Sequence, residues 1–378
     1  MRRLISLILS AALLASLCGC ASMFDKEYLS KSEYTAPKSS VPVLSEDGAI
    51  EVKNYFGLRI AVSQLIAAHA DSVTLDFREY DGSINDDIAA ACKDVSTNTA
   101  LGAYCVDFIS YDLDRIVAYY EAKIYVNYTK TAEEVEAILT ASTYGGVLSL
   151  MREAMGELRE SMVIKIGSGS AGEDDVLAYV DRVCREDPLC CIYKPKAQVT
   201  EYSGTGMQRI FDITIDYGGE RDALLKKRQE LSESVNFLAA QVTAETKPYR
   251  AFQAASLVVG ACTSESGVGD TAYDALVLGI ADSEGMAQAY AAVCAASGVN
   301  CRTVSGRLDK SPHFWNIIEL DGAYYHVDIS VIMAEGYAAS FLLSDASMWG
   351  RYWWDTELYP TCEGTLTYTG LMPSATNA

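Results

Sequence analysis

Near the C-terminus, a histidine and an aspartate fifteen residues apart, His313 and Asp328, are spaced so that a sheet could bring them together. Asn316 to Leu320, Asp321-Gly322 and Ala323 to Ile329 read as a β-hairpin, because Asp-Gly suits a two-residue type I′ turn. If Leu320 faces Ala323, Trp315 falls opposite Asp328 and His313 opposite Ser330. Alternation then puts His313, Trp315 and Ile317 on one face with Tyr324, His326 and Asp328. His313 and Asp328 become diagonal neighbours, about 7–8 Å apart at the backbone and within reach through their side chains. A carboxylate there orients the imidazole and stabilises its protonated form, as the third member of a catalytic triad must.

A candidate nucleophile lies upstream. Asp282-Ser283-Glu284-Gly285 opens an alanine-rich stretch that ends at Gly298, a suitable residue just past a helix end. Ser283 is therefore expected at or just inside a helix N-terminus, where backbone N–H groups and the helix dipole favour developing negative charge. A thiol in that position would be activated as thiolate. A hydroxyl gains far less, because it needs a base to remove its proton during attack. Each residue also has a plainer role: Ser283 as a helix cap and His313 as a sheet histidine bonded to a carboxylate. Cys294 lies eleven residues along the proposed helix, about 16 Å down its axis, and cannot take the place of Ser283. Cys301 reads as core, and no pattern links Cys262 to His313.

The strings AYDALVLGIADSEGMAQAYAAVCAASGVNCRTVSG and HFWNIIELDGAYYHVD resemble the core of the transglutaminase-like family, relatives of the papain fold. The family's motif runs roughly G-x-G-x-C-E-G-Y, then H-A-W-N, then H-V-D, and supplies a Cys-His-Asp triad. The resemblance covers about residues 240–365 and puts His313 and Asp328 at the histidine and aspartate positions. Ser283 stands at the cysteine position, and Met286 replaces the motif's tyrosine. Active members carry out acyl transfer through a thioester. The resemblance thus implies a degenerate domain that binds a peptide, protein or cell-envelope ligand without thiol chemistry. Trp315, Glu284, Trp349, Trp353 and Trp354 are its candidate ligand contacts. The alternative is a hydrolase or acyltransferase acting on amides or esters through a Ser283-His313-Asp328 triad. A purely structural envelope protein with a filled cleft is a third reading. An open groove holding Ser283 beside His313 separates the first two from the last.

The elements that position these residues belong to a larger chain. At 378 residues and 50% apolar it can bury a sizeable core in two or three domains. Arg2 and Arg3 followed by an apolar run from Leu4 to Leu17 fit a signal segment; a spanning helix needs about 20 apolar residues. Leu17-Cys18-Gly19-Cys20 resembles a bacterial lipobox, implying cleavage before Cys20, lipid attachment to its sulfur and an extracytoplasmic, membrane-anchored protein. Residues 20–47 then read as a tether. Loss of residues 1–19 removes Arg2 and Arg3 and shifts the net charge from −21 to −23, which argues against nucleic acid as a partner. Nine cysteines lie beyond Cys20, an odd number with no readable pairing. Without a Cys-x-x-Cys pair, and with three histidines in all, no metal site is expected, and no cofactor.

The middle of the chain repeats at a spacing of 89 residues. SVTLDF at Ser72 returns as SMVIKI at Ser161, Asp86 as Asp175, Tyr104 as Tyr193, and Tyr128 as Tyr217. Each copy reads as strand, acidic-started helix, strand, strand, helix. The copies resemble the tyrosine-rich modules that precede transglutaminase-like domains in some secreted bacterial proteins, and their tyrosines are expected to pack a half-buried sheet. Gly167 to Gly172 matches a dinucleotide-binding glycine pattern, but the first copy makes the same connection with one glycine, so a flexible loop is expected. The expected architecture is α+β: repeat modules at 48–142 and 143–236, then a transglutaminase/papain-like domain at 237–378 with a helix packed on an antiparallel sheet.

Overall fold

The computed structural model describes residues 43–44, 48–167 and 172–372. The signal segment, Cys20, most of the tether and residues 168–171 of the glycine-rich loop lie outside the described residues. No helix among the described residues is long and apolar enough to cross a membrane.

The first unit is a sheet of β1 (Val43–Leu44), β2 (Ile50–Glu51), β3 (Ser72–Asp76), β4 (Val106–Ile116) and β5 (Tyr119–Tyr128), in the order β1-β2-β3-β5-β4. Strands β2 and β3 are parallel, joined through helix α1 (Tyr55–Ala67); the other pairs are antiparallel. Asn54 starts α1 by accepting from the Gly57 N–H, which satisfies one of the orphan donors of a helix start. Helix α2 (Ile84–Asn98) opens on Asp86 and Asp87, and its Ile88, Ala91 and Val95 pack with Leu58, Val62 and Ile66 of α1 over Leu75 and Ile124 of the sheet. The short helix α3 (Ala100–Cys105) and α4 (Ala132–Glu136), which carries a Thr131–Glu134 capping box, complete the unit.

The second unit has β6 (Leu139–Ala141), α5 (Tyr144–Gly156), β7 (Ser161–Ile166), α6 (Glu173–Glu186), β8 (Lys196–Ser203) and β9 (Arg209–Asp216). Its order is β6-β7-β9-β8, with a parallel first pair and antiparallel others, which is the order and direction of β2-β3-β5-β4. The last tyrosine of each hairpin makes the same bond. The Tyr128 hydroxyl donates to the carbonyl of Ala70 at 2.9 Å, and that of Tyr217 to the carbonyl of Arg159 at 3.0 Å. Both acceptors lie two residues ahead of the central strand. These two side chains pin the strand entry and present no free hydroxyl to a ligand.

Helix α7 (Arg221–Ala239) crosses from the second unit into the C-terminal domain. Leu224 packs in the core of the unit, whereas Leu231, Val235 and Leu238 pack in the next core. The expected boundary at 236/237 thus falls inside a continuous helix, with no linker. A second crossing comes from the loop after α6, which a disulfide between Cys184 in the last turn of that helix and Cys191 closes. Ile192 beside it is buried in the C-terminal core, and its carbonyl accepts from Thr271 Oγ1 at 3.3 Å. The other seven described cysteines are free thiols, and Cys301 alone of them is not fully buried.

In the C-terminal domain, α8 (Lys247–Ala261) leads into a loop carrying the parallel pair β10 (Thr263–Ser264) and β11 (Ile280–Ala281), then α9 (Ser283–Ala296). The sheet is antiparallel: β12 (Asn300–Leu308), β13 (Ser311–Leu320), β14 (Ala323–Val327), β15 (Phe341–Leu343) and β16 (Tyr352–Trp354), in the order β15-β14-β13-β12-β16. Short helices α10 (Ile329–Glu335), α11 (Tyr337–Ser340), α12 (Asp345–Met348) and α13 (Tyr368–Leu371) fill the connections. Every residue of α9 from Glu284 to Cys294 is buried, as expected of a helix apolar on nearly all sides and enclosed by other elements. Alanines let it lie close to its neighbours. Gly285 is the tightest point, for a Cβ there would stand 2.6 Å from the Gly269 carbonyl oxygen and 2.8 Å from that of Thr271.

Candidate active site

The hairpin that carries His313 is made by β13 and β14, with Leu320 opposite Ala323 and Asn316 opposite Val327. Asp321 and Gly322 both take positive φ, 51° and 87°, the type I′ geometry that matches strand twist. One step beyond the Asn316–Val327 pair the strand ends, and Asp328 becomes the N-cap of α10 by accepting from the Val331 N–H at 3.1 Å. His313 Nε2 lies 2.6 Å from Asp328 Oδ2. Asp328 is 1% exposed and every face of its carboxylate is used: Tyr352 donates to Oδ2 at 3.0 Å and Ser330 Oγ to Oδ1 at 2.7 Å. Burial and the neighbouring Asp328 charge push the Tyr352 phenol well above its ordinary range, so it stays a donor. With Nε2–H directed at the carboxylate, the lone pair of the His313 ring is on Nδ1.

Ser283 comes to this pair from the helix side. The cap of α9 is Asp282, whose Oδ1 accepts from the N–H groups of Glu284 at 2.8 Å and Gly285 at 3.2 Å. Ser283 is the first helical residue, and the capping role open to it in the sequence is corrected accordingly. Burial raises the Asp282 carboxyl, opposed by those two N–H bonds. Ser283 Oγ accepts from the N–H of Phe314, the residue after His313, at 3.3 Å. That bond ties the start of α9 to β13 at the histidine. Among the described residues, Ser283 Oγ makes no hydrogen bond to the imidazole.

Two of the expected ligand contacts are not where a ligand could meet them. Trp315 is fully buried, stacked near His313 with ring centroids 6.3 Å apart and packed on Tyr352 and Trp354 at 5.2 and 5.9 Å. Its alternating position on β13 turns it into the domain, so it is core and not a cleft wall. Glu284 is buried too, because the second residue of an enclosed helix faces inward; Lys194 of the second unit lies 3.5 Å from it. Trp353 and Trp354 do line an open cleft of 610 Å³, together with Arg307 and Lys310. Trp349 is exposed but stands apart from that cleft.

The sequence reading missed a second polar chain beneath the first. Trp315 Nε1 donates to His326 Nδ1 at 3.0 Å, and His326 Nε2 lies 2.8 Å from Asp345 Oδ1. An indole is only a donor, so Nδ1 holds the lone pair and Nε2 carries the proton toward Asp345. Burial pushes the His326 pKa down, with Asp345 opposing it. His326, Asp345 and Cys362 bring ligand atoms within 4.8 Å of one another. The donor set does not fit a metal: both ring nitrogens are engaged, and burial raises the Cys362 thiol far above its usual range. The hairpin register already placed His326 on the Trp315 face and Ser330 beside His313, but no local pattern in the sequence pointed to Tyr352 or Asp345.

Residues 236–329 match the model of the transglutaminase-like superfamily. No curated protein matches the chain. Among solved structures the chain is similar to a TGase at 11% identity and a TM-score of 0.27, covering 51% of this chain and 59% of that one. A candidate cysteine protease from Cytophaga hutchinsonii shares 10% identity, with a TM-score of 0.24 over 36% of this chain and 64% of that one. A candidate protease from Parabacteroides distasonis shares 11%, with a TM-score of 0.21 over 59% of this chain and 56% of that one. The chain therefore spans less than two thirds of each of these proteins. It is an α+β protein that carries a transglutaminase-like domain.

Proposed function

We propose that Ser283 occupies the nucleophile position of the transglutaminase-like domain and that the domain binds a peptide or cell-envelope ligand without turning it over. The observation that carries this reading is the Ser283 Oγ contact with the Phe314 N–H, beside a His313–Asp328 pair bonded at 2.6 Å. An oxygen sits at the helix start where a thiolate would be stabilised, and its hydroxyl is not engaged by the imidazole. Thiol sites of this kind hold a charge pair ready, whereas a hydroxyl needs its proton removed in the act of attack. The open cleft beside Trp353 and Trp354 offers aromatic and cationic contacts to a ligand. We place the protein outside the cytoplasm, anchored through a lipid on Cys20, with the two α/β units as a duplicated platform beneath the binding domain.

A second reading, a serine hydrolase on amides or esters, is favoured by one feature: the His313 lone pair on Nδ1 is available, and Asp328 holds the ring in the orientation a base requires. Treatment of the wild-type chain with a fluorophosphonate, followed by peptide mapping, separates the two. The binding reading expects no adduct on Ser283, and a stoichiometric adduct there establishes the hydrolase instead.

A further inference from the structure

Between α6 of the second unit and β12 of the C-terminal domain lies a cleft of 760 Å³, within the size range of small-ligand sites. Arg152, Arg182, Arg185 and Arg302 line it, a concentration of guanidinium groups on a chain whose net charge is −21. Three carboxylates share the walls. Glu186 is held between Arg152 at 2.6 Å and Arg182 at 2.7 Å, Asp175 accepts from the Gly172 N–H, and Asp187 accepts from Cys190. Neither Arg185 nor Arg302 makes an ion pair among the described residues. The two come from different domains and leave the cleft with one surplus positive charge.

A second observation concerns Tyr359 on the same wall: its oxygen accepts from the Ser305 N–H, which leaves its own proton free to donate to an occupant of the cleft. Tyr179 and Leu358 supply apolar walls.

We infer that this inter-domain cleft binds a carboxylate carried on a small apolar or peptide body. Arg185 and Arg302 hold the carboxylate from its two sides, and Tyr359 donates to it or to the adjoining amide. One surplus charge matches a monoanion. A phosphate, near −2, would be left uncompensated against the three carboxylates already present. The occupant bridges the second unit and the C-terminal domain. Neither Ser283 nor His313 lines the cleft, so this assignment and the reading of Ser283 fail separately.

The test is calorimetric titration of the purified chain with acetyl-alanyl-leucine bearing a free C-terminal carboxylate, and with its carboxamide. The carboxylate is expected to bind and the carboxamide to bind at least tenfold more weakly. Arg302→Gln lies on an exposed side chain and keeps the fold; it should weaken carboxylate binding by about tenfold to a hundredfold, the worth of a charge-assisted bond. Inorganic phosphate should not displace the peptide at equal concentration. Equal binding of acid and amide, tighter binding of phosphate, unchanged affinity in Arg302→Gln, or no binding at millimolar peptide each overturns the assignment.

Discussion

Replacing Asp328 should unfold the C-terminal domain before it does anything subtler. Four donors converge on this carboxylate: His313 Nε2, Tyr352 Oη, Ser330 Oγ and the Val331 N–H. Asp328→Ala removes the cap of α10, worth about 1 kcal/mol. It also leaves the buried Tyr352 hydroxyl and the His313 N–H without acceptors, each about 1–3 kcal/mol where water cannot reach them. The expected loss is about 3–7 kcal/mol. Asp328→Asn keeps an oxygen for Ser330 and Val331 but turns an amide against two donors, and should lose about 1–3 kcal/mol. The assay is urea unfolding followed by tryptophan fluorescence, because all four tryptophans, at 315, 349, 353 and 354, lie in this domain and report it alone. Trp315 is fully buried, so its emission shifts strongly on unfolding. If Asp328→Ala falls within about 1 kcal/mol of the wild type, or destabilises no more than Asp328→Asn, the carboxylate is not the hub of the site and the reasoning is wrong.

Two further outcomes follow from the same structure. Burial lowers the His326 pKa below its ordinary value of 6.5, so the unfolded chain binds more protons than the folded one in acid. The stability this contributes is complete above about pH 6.5 and is lost as pH falls through the folded-state pKa. A set of urea midpoints between pH 8 and pH 5 should show this slope, and His326→Gln should flatten it; an unchanged slope contradicts the assignment. Gly285→Ala forces a methyl group against the carbonyls of Gly269 and Thr271 and should cost about 1–3 kcal/mol. A thermal midpoint equal to that of the wild type would show that the loop before α9 moves aside freely.

Much of the site was legible because its parts are local. Asp321-Gly322 between alternating strands dictates a two-residue hairpin, and the register from Leu320–Ala323 holds as far as Asn316–Val327; beyond it Asp328 and Ser330, read as strand residues opposite Trp315 and His313, instead start α10, and Asp328 meets His313 from the helix cap. The start of α9 was legible to within one residue: Asp282 and Ser283 are both good caps, and composition alone does not choose between them. The same alternation held the information that Trp315 points inward with His326, but a tryptophan next to a histidine reads as readily as a wall of a cleft. Tyr352 and Asp345 were not legible, since they reach the site from elements 24 and 19 residues beyond their partners with no periodic link. The pairing of Cys184 with Cys191 among nine candidates was equally closed to inspection. So was the use of α7 by two cores, for a long amphipathic helix shows its apolar stripe but not which neighbour covers each end.

The central claim is that position 283 is a nucleophile's seat holding the wrong atom. Restoring sulfur tests it directly: Ser283→Cys, treated with iodoacetamide between pH 5 and pH 8, with His313→Gln in the same background as control. The account predicts rapid alkylation of the introduced thiol already near pH 6, well below the ordinary thiol pKa of about 8.5, and loss of that low-pH reactivity when His313 is replaced. Alkylation at position 283 only as fast as that of an unactivated thiol, with no dependence on His313, would contradict it.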